Sequence, residues 1–168
     1  MADINPNRSQ SKTPTTTQMM DLTSAPHTDV AGVILADGNG RFLLQRRDQS
    51  PAVSNPGLIG MFGGHKEGAE SDIDCALREV YEETNIKLSI TQLALIVRTR
   101  VQFANGIIRA GTFFFSNGID EGSMKISEGT LCEIPYNNIS RYFCEMVPTT
   151  AYVMSLVCEL IRNHELEL

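Results

Sequence analysis

The segment from Gly64 to Ile86 constrains the fold more than any other part of the sequence, because it joins a glycine pair, an acidic loop and an amphipathic stretch. At about 100° per residue on a helical wheel, Glu79, Glu82 and Glu83 fall on one face. An apolar stripe lies beside that face. It consists of Ile73, Ala76, Leu77 and Val80. The segment therefore predicts a helix that packs by one face and presents a cluster of carboxylates next to it.

Signals at both ends define this helix as Ser71–Thr84. Ser71 is a suitable N-cap, and the acidic residues Asp72 and Asp74 of the first turn favour the positive end of the helix dipole. Asn85 follows the last helical residue, and asparagine tolerates the left-handed conformation that often ends a helix.

The carboxylate cluster has two interpretations. Like charges four residues apart destabilise a helix, so the face is either simply solvated or holds a cation. Oxygen-rich sites suit Mg²⁺ or Mn²⁺. The pair Gly63-Gly64, predicted to form a tight loop, allows the backbone to approach a ligand closely, and Glu67 and Glu70 lie in the same loop. These flanking residues favour a metal site.

The spacing of this segment resembles the motif of the Nudix hydrolases. Gly64 is followed after five residues by Glu70 and, after seven more, by Arg78-Glu79; the last position, a glycine in the family, is Asn85. The segment closes with Val80, Tyr81, Glu82, Glu83, Thr84, Asn85 and Ile86. Two further departures are the shifted glycine in Glu67-Gly68-Ala69-Glu70 and Phe62, where many members have proline. None of them removes an acidic ligand.

The resemblance implies roles for the residues of the motif. Glu79 and Glu83 are expected to be the main metal ligands, and Glu82 a further ligand or the group that activates water. The Gly64 carbonyl is expected to add a ligand, and Glu70 to support the metal site while paired with Arg78. Outside the motif, many relatives supply a glutamate from the loop region that holds Glu128 here, as a base or an extra metal ligand; a solvated loop acid is the alternative.

Several arginines are candidates for binding substrate phosphates, because a guanidinium group matches phosphate with two hydrogen bonds. Each of them could equally be an ordinary surface charge. They are Arg46, Arg47, Arg98, Arg100 and Arg109. His65, beside the glycine pair, could contact substrate or have no role, and Phe113–Phe115 are expected to belong to the core.

The remaining pattern predicts an α/β fold, and the resemblance implies an α/β/α sandwich with a mixed, partly antiparallel sheet. Residues 1–26 are expected to form a disordered or weakly ordered tail, and residues 27–168 a single domain. We expect turns at Asp37–Gly40 and Asn105-Gly106 and loops over Asp48–Gly60 and Gly118–Gly129. Strands are predicted at Val30–Ala36, Arg41–Arg47, Leu93–Phe103, Ile107–Ser116 and Thr130–Ile134, and a closing helix at Thr149–Arg162.

Composition excludes several function classes. The 168 residues carry 20 acidic and 14 basic side chains, a net charge of −6 that argues against a duplex nucleic-acid partner. No apolar run is long enough for a membrane span, and the N-terminus lacks a secretory signal, so a cytoplasmic location is expected. The four cysteines show neither zinc-ligand spacing nor CxxC pairs and are expected to be free thiols.

Three functions remain open at this stage. The first is a Mg²⁺-dependent pyrophosphohydrolase acting on a nucleoside diphosphate derivative: a nucleotide sugar, ADP-ribose, a dinucleoside polyphosphate or a nucleoside triphosphate. The second is a regulatory module that binds nucleotides without turnover. The third is an isomerase of an isoprenoid diphosphate, which would need a reactive cysteine such as Cys75. The family resemblance also makes a homodimer possible.

Overall fold

Seven strands form one mixed sheet in the computed structural model, which describes residues 27–102 and 106–168. The sheet order is β3-β2-β1-β6-β5, with β4 beside β1 and β7 beside β2; β1 and β6 are parallel, and the other pairs are antiparallel. The strands are β1 (His27–Ala36), β2 (Arg41–Arg46), β3 (Ile59–Gly60), β4 (Phe62–His65), β5 (Ala94–Gln102), β6 (Ile108–Ser116) and β7 (Thr130–Pro135).

Two helices cover opposite faces of the sheet. Helix α1 (Asp72–Thr84) packs on a buried cluster that includes Val33, Leu35 and Phe114, whereas α2 (Pro148–Arg162) packs on a cluster that includes Ile34 and Phe113. Alternate residues of β1 and β6 thus enter different cores, as the two-residue period of a strand requires. The predicted α/β/α sandwich is confirmed, as is the burial of Phe113–Phe115.

The edge of β1 changes partner halfway along, and this split creates the site. Val30–Val33 pair with β4, and Leu35 and Ala36 pair with β2. Between the strands, the predicted turn at Asp37–Gly40 is present, with the Asp37 carboxylate accepting hydrogen bonds from the Asn39 and Arg41 amides at 2.8 and 3.0 Å. Strands β2 and β4 therefore follow one another along the same edge of β1, opposite β6.

Two predictions about loops were wrong. Gly63 and Gly64 lie in β4, paired with β1, and Ile59–Gly60 is a short strand within the loop predicted to run to Gly60. Glycine signals alone predicted irregular structure, but pairing with β1 overrides them. Gly63 has φ +144°, and a side chain there would overlap the Ala31 carbonyl oxygen. The glycine is thus required for strand contact.

The other elements match the predictions within a few residues. Ser71 caps α1 by accepting from the Asp74 amide, and Asn85 adopts φ 60° with its amide donating to the Tyr81 carbonyl. The loop before β7 contains a short 3₁₀ helix at Glu121–Ser123, and another, Tyr136–Arg141, follows β7. The predicted tail (1–26), the end of the predicted strand at Phe103 and the first residue of the Asn105-Gly106 turn lie outside the described residues.

Over residues 27–102 and 106–168, neither helix has the length and apolar character that crossing a bilayer would require.

Candidate active site

Two glutamates of α1 lie against the glycine pair of β4. The Gly63 amide donates to Glu83 Oε2 at 2.8 Å. A Cβ atom at Gly64 would come within 2.6 Å of the Glu79 Cδ, so only glycine leaves room for this carboxylate. The structure therefore brings together Glu79, Glu83 and the backbone of Gly64, three of the predicted metal ligands.

Burial makes these carboxylates hard to ionise. The pKa of Glu83 is raised to about 7, mainly by burial and in part by the charges of Glu79 and Glu128, whereas the Gly63 amide and Arg47 act in the opposite direction. The pKa of Glu79 is also raised, mainly by burial. Two half-buried carboxylates with too little positive charge around them are stabilised in the ionised form by a cation.

Arg78 holds the loop and the helix together. Its guanidinium group donates to both carboxylate oxygens of Glu70, at 2.7 and 3.1 Å, and to the His65 carbonyl. It also donates to Glu79 at 2.9 Å and Glu82 at 3.0 Å. These bonds lower the pKa of Glu70 to about 2 and raise the pKa of Arg78. The Glu70–Arg78 pair that the resemblance implied is present.

The donor atoms fit a hard divalent cation, although they do not form a closed cage. Carboxylate and carbonyl oxygens are the ligands that Mg²⁺ and Mn²⁺ prefer. Within the part of the chain that the structure describes, no three acidic, histidine or cysteine side chains converge closely enough to hold a metal as they stand. Arg78 draws Glu79 and Glu82 toward itself, so these carboxylates would have to turn from it to bind an ion. Glu70 would have to leave the same partner.

The loop before β7 is attached to the C-terminal end of α1. The amides of Lys125 and Ser127 donate to the Thr84 and Glu83 carbonyls at 2.8 and 3.0 Å, and the Ser127 hydroxyl donates to the Glu82 carbonyl at 3.0 Å. Glu128 is the next residue, and its negative charge contributes to the raised pKa of Glu83. The predicted base candidate therefore lies next to the glutamate cluster.

Arg46 and Arg47 have different surroundings. Arg46 donates to Glu145 at 2.8 Å and to the Gly57 carbonyl at 3.0 Å, so its guanidinium group is engaged away from Glu83. Arg47 is the cation that lowers the pKa of Glu83, and its buried Nε atom has no hydrogen-bond partner. Of the two predicted phosphate ligands, Arg47 is the one near the glutamates.

The remaining predicted binding residues lie elsewhere on the sheet. Arg98 of β5 lies near Asp72 and, after Lys66 and Thr112, contributes to lowering the pKa of Asp72. Asp72 is at the start of α1, roughly 16 Å along the helix axis from Glu83. Arg100, also on β5, and Arg109, on β6, are exposed. The side chain of His65 is exposed as well, and its carbonyl binds Arg78.

Cys75 lacks the character of a reactive thiol. It is fully buried, and burial raises its pKa to about 12, with the Glu70 carboxylate adding to the shift. Its Sγ atom is a weak donor to the Gly64 carbonyl at 3.8 Å. A thiol that stays protonated at neutral pH counts against the isomerase hypothesis. All four cysteines are free, as expected.

Sequence reasoning missed Gln45 and Ser127, which fix the position of the Glu128 loop. The Gln45 side chain is buried, and its Nε2 atom donates to the Glu128 carbonyl at 2.9 Å. A polar residue inside the buried strand Arg41–Arg46 was the available signal. Ser127 carries no comparable signal, because it is an exposed serine in a polar loop.

Comparison with known proteins identifies the family. The NUDIX domain model matches residues 26–118. No curated protein sequence matches significantly. Among solved structures, the MutT NUDIX hydrolase of Burkholderia pseudomallei is 18% identical, with a TM-score of 0.59 over 78% of this chain and 98% of that one. The MutT protein of Methanosarcina mazei Go1 is also 18% identical, with a TM-score of 0.64 over 81% and 96%.

A third similar structure is a bifunctional NMN adenylyltransferase/ADP ribose pyrophosphatase of Francisella tularensis, complexed with AMP and a Mn ion. It is 20% identical, with a TM-score of 0.57 over 83% of this chain and 42% of that one. At such identities the likeness concerns the fold, whereas the domain match covers more than half of the sequence. The chain therefore belongs to the Nudix family.

Proposed function

We propose that this chain, a Nudix-type pyrophosphohydrolase, uses Mg²⁺ or Mn²⁺ to cleave the diphosphate linkage of a nucleoside diphosphate derivative. The observation that carries the proposal is the pair Glu79 and Glu83, two partly buried carboxylates held against Gly63-Gly64 with their pKa values raised. Keeping two such groups together costs stability, and binding a cation would offset that cost.

Glu79 and Glu83 would be the main ligands, with the Gly64 carbonyl as a further ligand and Glu82 as either a ligand or the group that activates water. When bound, a divalent cation neutralises phosphate charge and lowers the pKa of a coordinated water. Glu70 has both oxygens engaged by Arg78, so we assign it to holding that arginine rather than to the ion. Arg78 in turn keeps Glu79 and Glu82 close together until the ion binds.

Phosphate binding is assigned to Arg47. Its unpaired, buried Nε atom would gain a partner from a phosphate oxygen, which stabilises binding because an unsatisfied buried donor is costly. Glu128 and Glu82 remain the two candidates for accepting the proton of the attacking water. Glu128 is exposed at the mouth of the cluster, and Glu82 is the more exposed of the helix glutamates.

The nucleoside part of the substrate rests on similarity. The Francisella protein is described as a bifunctional NMN adenylyltransferase/ADP ribose pyrophosphatase complexed with AMP and a Mn ion, which supports a nucleotide derivative as the substrate. Nucleoside triphosphates are a further class to be tested. Nucleotide sugars and dinucleoside polyphosphates complete the set to be tested.

The test is hydrolysis of these four substrate classes with Mg²⁺ or Mn²⁺, comparing wild type with Glu83→Gln. Release of nucleoside monophosphate or pyrophosphate by the wild type alone supports the proposal. If neither protein hydrolyses any substrate and a nucleotide still raises the melting temperature, the chain is a nucleotide-binding module instead.

A further inference from the structure

Gln45 occupies a position where a polar side chain needs a specific reason. Its neighbours Leu43 and Leu44 are fully buried, and Gln45 itself is only 3% exposed. It lies in the middle of three strands, paired with Gly60 of β3 and Leu131 of β7. Burying an amide without hydrogen bonds costs stability, so its partner is informative.

That partner is the backbone of the acidic loop. Gln45 Nε2 donates to the Glu128 carbonyl at 2.9 Å, directly before β7 begins at Thr130. Gly129 adopts φ +66°, and a side chain there would overlap the Arg46 carbonyl. The chain therefore passes close to the end of β2 at this point, where β7 begins to pair with it, and the amide of Gln45 holds it there.

A second set of bonds fixes the other side of Glu128. Ser127 is bonded through its amide and its hydroxyl to the last carbonyls of α1, those of Glu83 and Glu82. Glu128 thus stands between two anchors, one on the helix that carries Glu83 and one on the strand that leads to Arg47. Its own side chain is exposed and has no anchoring contact among the described residues, so its location depends on the backbone.

We propose that Gln45 is a positioning residue, which places the Glu128 carboxylate beside Glu83 by holding the loop backbone close to the end of β2. The inference rests on the proposed hydrolase function and adds a determinant outside the Gly64–Ile86 motif. A displacement of about 1 Å in a reacting group can lower a rate by up to two orders of magnitude. Loss of the Gln45 amide should therefore act on turnover more than on substrate binding.

The matched variants are Gln45→Met and Thr150→Val. Methionine keeps the length of the side chain and removes the donor. Thr150 is also buried, and its hydroxyl accepts one hydrogen bond, from the Met61 amide at 3.1 Å, at the start of α2 on the opposite face of the sheet. Each variant thus removes one buried hydrogen bond, but only the first one loosens the Glu128 loop.

We expect Gln45→Met to lower kcat on the order of tenfold, with KM within about twofold of wild type. Thr150→Val should leave kcat and KM nearly unchanged, although the two variants should have similar melting temperatures. In a Glu128→Gln background, Gln45→Met should have no further effect on kcat, because the group that it positions is gone. Additive losses, equal losses in both single variants, or a Glu128→Gln enzyme with wild-type kcat would overturn the proposal.

Hydrogen exchange separates this proposal from the hydrolase assignment. The Ser127 amide, which donates to the Glu83 carbonyl, should exchange at least about tenfold faster in Gln45→Met than in wild type or Thr150→Val. Unchanged exchange refutes the positioning role even in an active enzyme. If the wild type hydrolyses no substrate while the Ser127 amide responds as expected, the hydrolase assignment fails and the anchoring of the loop stands.

Discussion

At the N-terminal end of α1, each carboxylate has a partner. Asp72 accepts hydrogen bonds from Lys66 at 2.8 Å and Thr112 at 2.7 Å, and Asp74 accepts one from Ser71 at 2.6 Å. The helix dipole favours these charges as well. At the C-terminal end, Glu83 has a single amide donor, lies near Glu79 and Glu128, and has its pKa raised to about 7.

The same helix thus contains one end organised for stability and one end that is electrostatically unfavourable without a ligand. Lys66 and Thr112 lower the pKa of Asp72, whereas burial raises the pKa of Glu83. Such unfavourable arrangements persist where function requires them. Substitutions at the two ends should therefore differ both in the sign of their effect on stability and in their effect on activity.

The largest effect is expected at Glu83. Glu83→Gln removes the charge while keeping an acceptor for the Gly63 amide, and it should lower the rate of hydrolysis by at least about 100-fold. Steady-state assays with saturating Mg²⁺ measure this loss. A variant with near-wild-type turnover would contradict the assignment of Glu83 as a ligand.

The same substitution should stabilise the metal-free protein at alkaline pH. The pKa of Glu83 rises from 4.5 to about 7 on folding, so between these values the native state binds a proton that the unfolded state does not. The free energy of unfolding then falls as pH rises through this window, by up to roughly 3 kcal/mol.

Glu83→Gln should reduce this decline, and the raised pKa of Glu79 accounts for a remaining part. Urea unfolding in the presence of a chelator at pH 5 and pH 8 measures the difference, with wild type losing stability toward pH 8 and the variant losing less. Equal pH dependence in both proteins would mean that Glu83 is not the group that titrates. Saturating Mg²⁺ should reduce the wild-type decline, because the ion stabilises the ionised carboxylate.

Arg78 connects the loop before α1 to the helix residues Glu79 and Glu82, and its replacement should affect both stability and metal binding. Arg78→Lys keeps the charge but loses the two-pronged contact with Glu70. We expect a loss of about 1–3 kcal/mol in stability and roughly 10–100-fold in metal affinity. Urea unfolding and Mn²⁺ titration monitor these quantities; unchanged metal affinity would limit Arg78 to a structural role.

The motif and most elements were predictable because they depend on local signals. The cap at Ser71, the left-handed Asn85 and the one-sided glutamates follow from spacing along a single helix. Strand β4 was not predictable, because Gly63-Gly64 forms a strand only by pairing with the residues of β1 around Ala31. Turn propensity dominates the local signal there, and a long-range contact decides the outcome.

The choice among the arginines was out of reach for the same reason. Arg46 and Arg47 are neighbours of the same type, and alternation along β2 sends one toward Glu145 and the other toward Glu83. No property of either residue distinguishes them in the sequence. The role of Gln45 depends on its hydrogen bond to the Glu128 carbonyl, 83 residues further along the chain. The sequence alone does not show that this loop and strand lie together.

The smallest effect is expected at Lys66, at the stable end of α1. Lys66→Met removes the ion pair with Asp72, whose side chain is 34% exposed, and should lower stability only slightly because solvent screens such pairs. The Lys66 contact lowers the pKa of Asp72 below 3.8, so its contribution is present above that pH and is lost as pH falls through the lowered pKa. The stability difference between wild type and variant should therefore be constant from pH 5 to pH 8 and shrink toward pH 2, the reverse of the trend at Glu83.

Hydrolysis by Lys66→Met should remain at the wild-type rate, since Lys66 contacts none of the glutamates of the cluster. A rate loss in this variant larger than about tenfold would show that the two ends of α1 do not act separately.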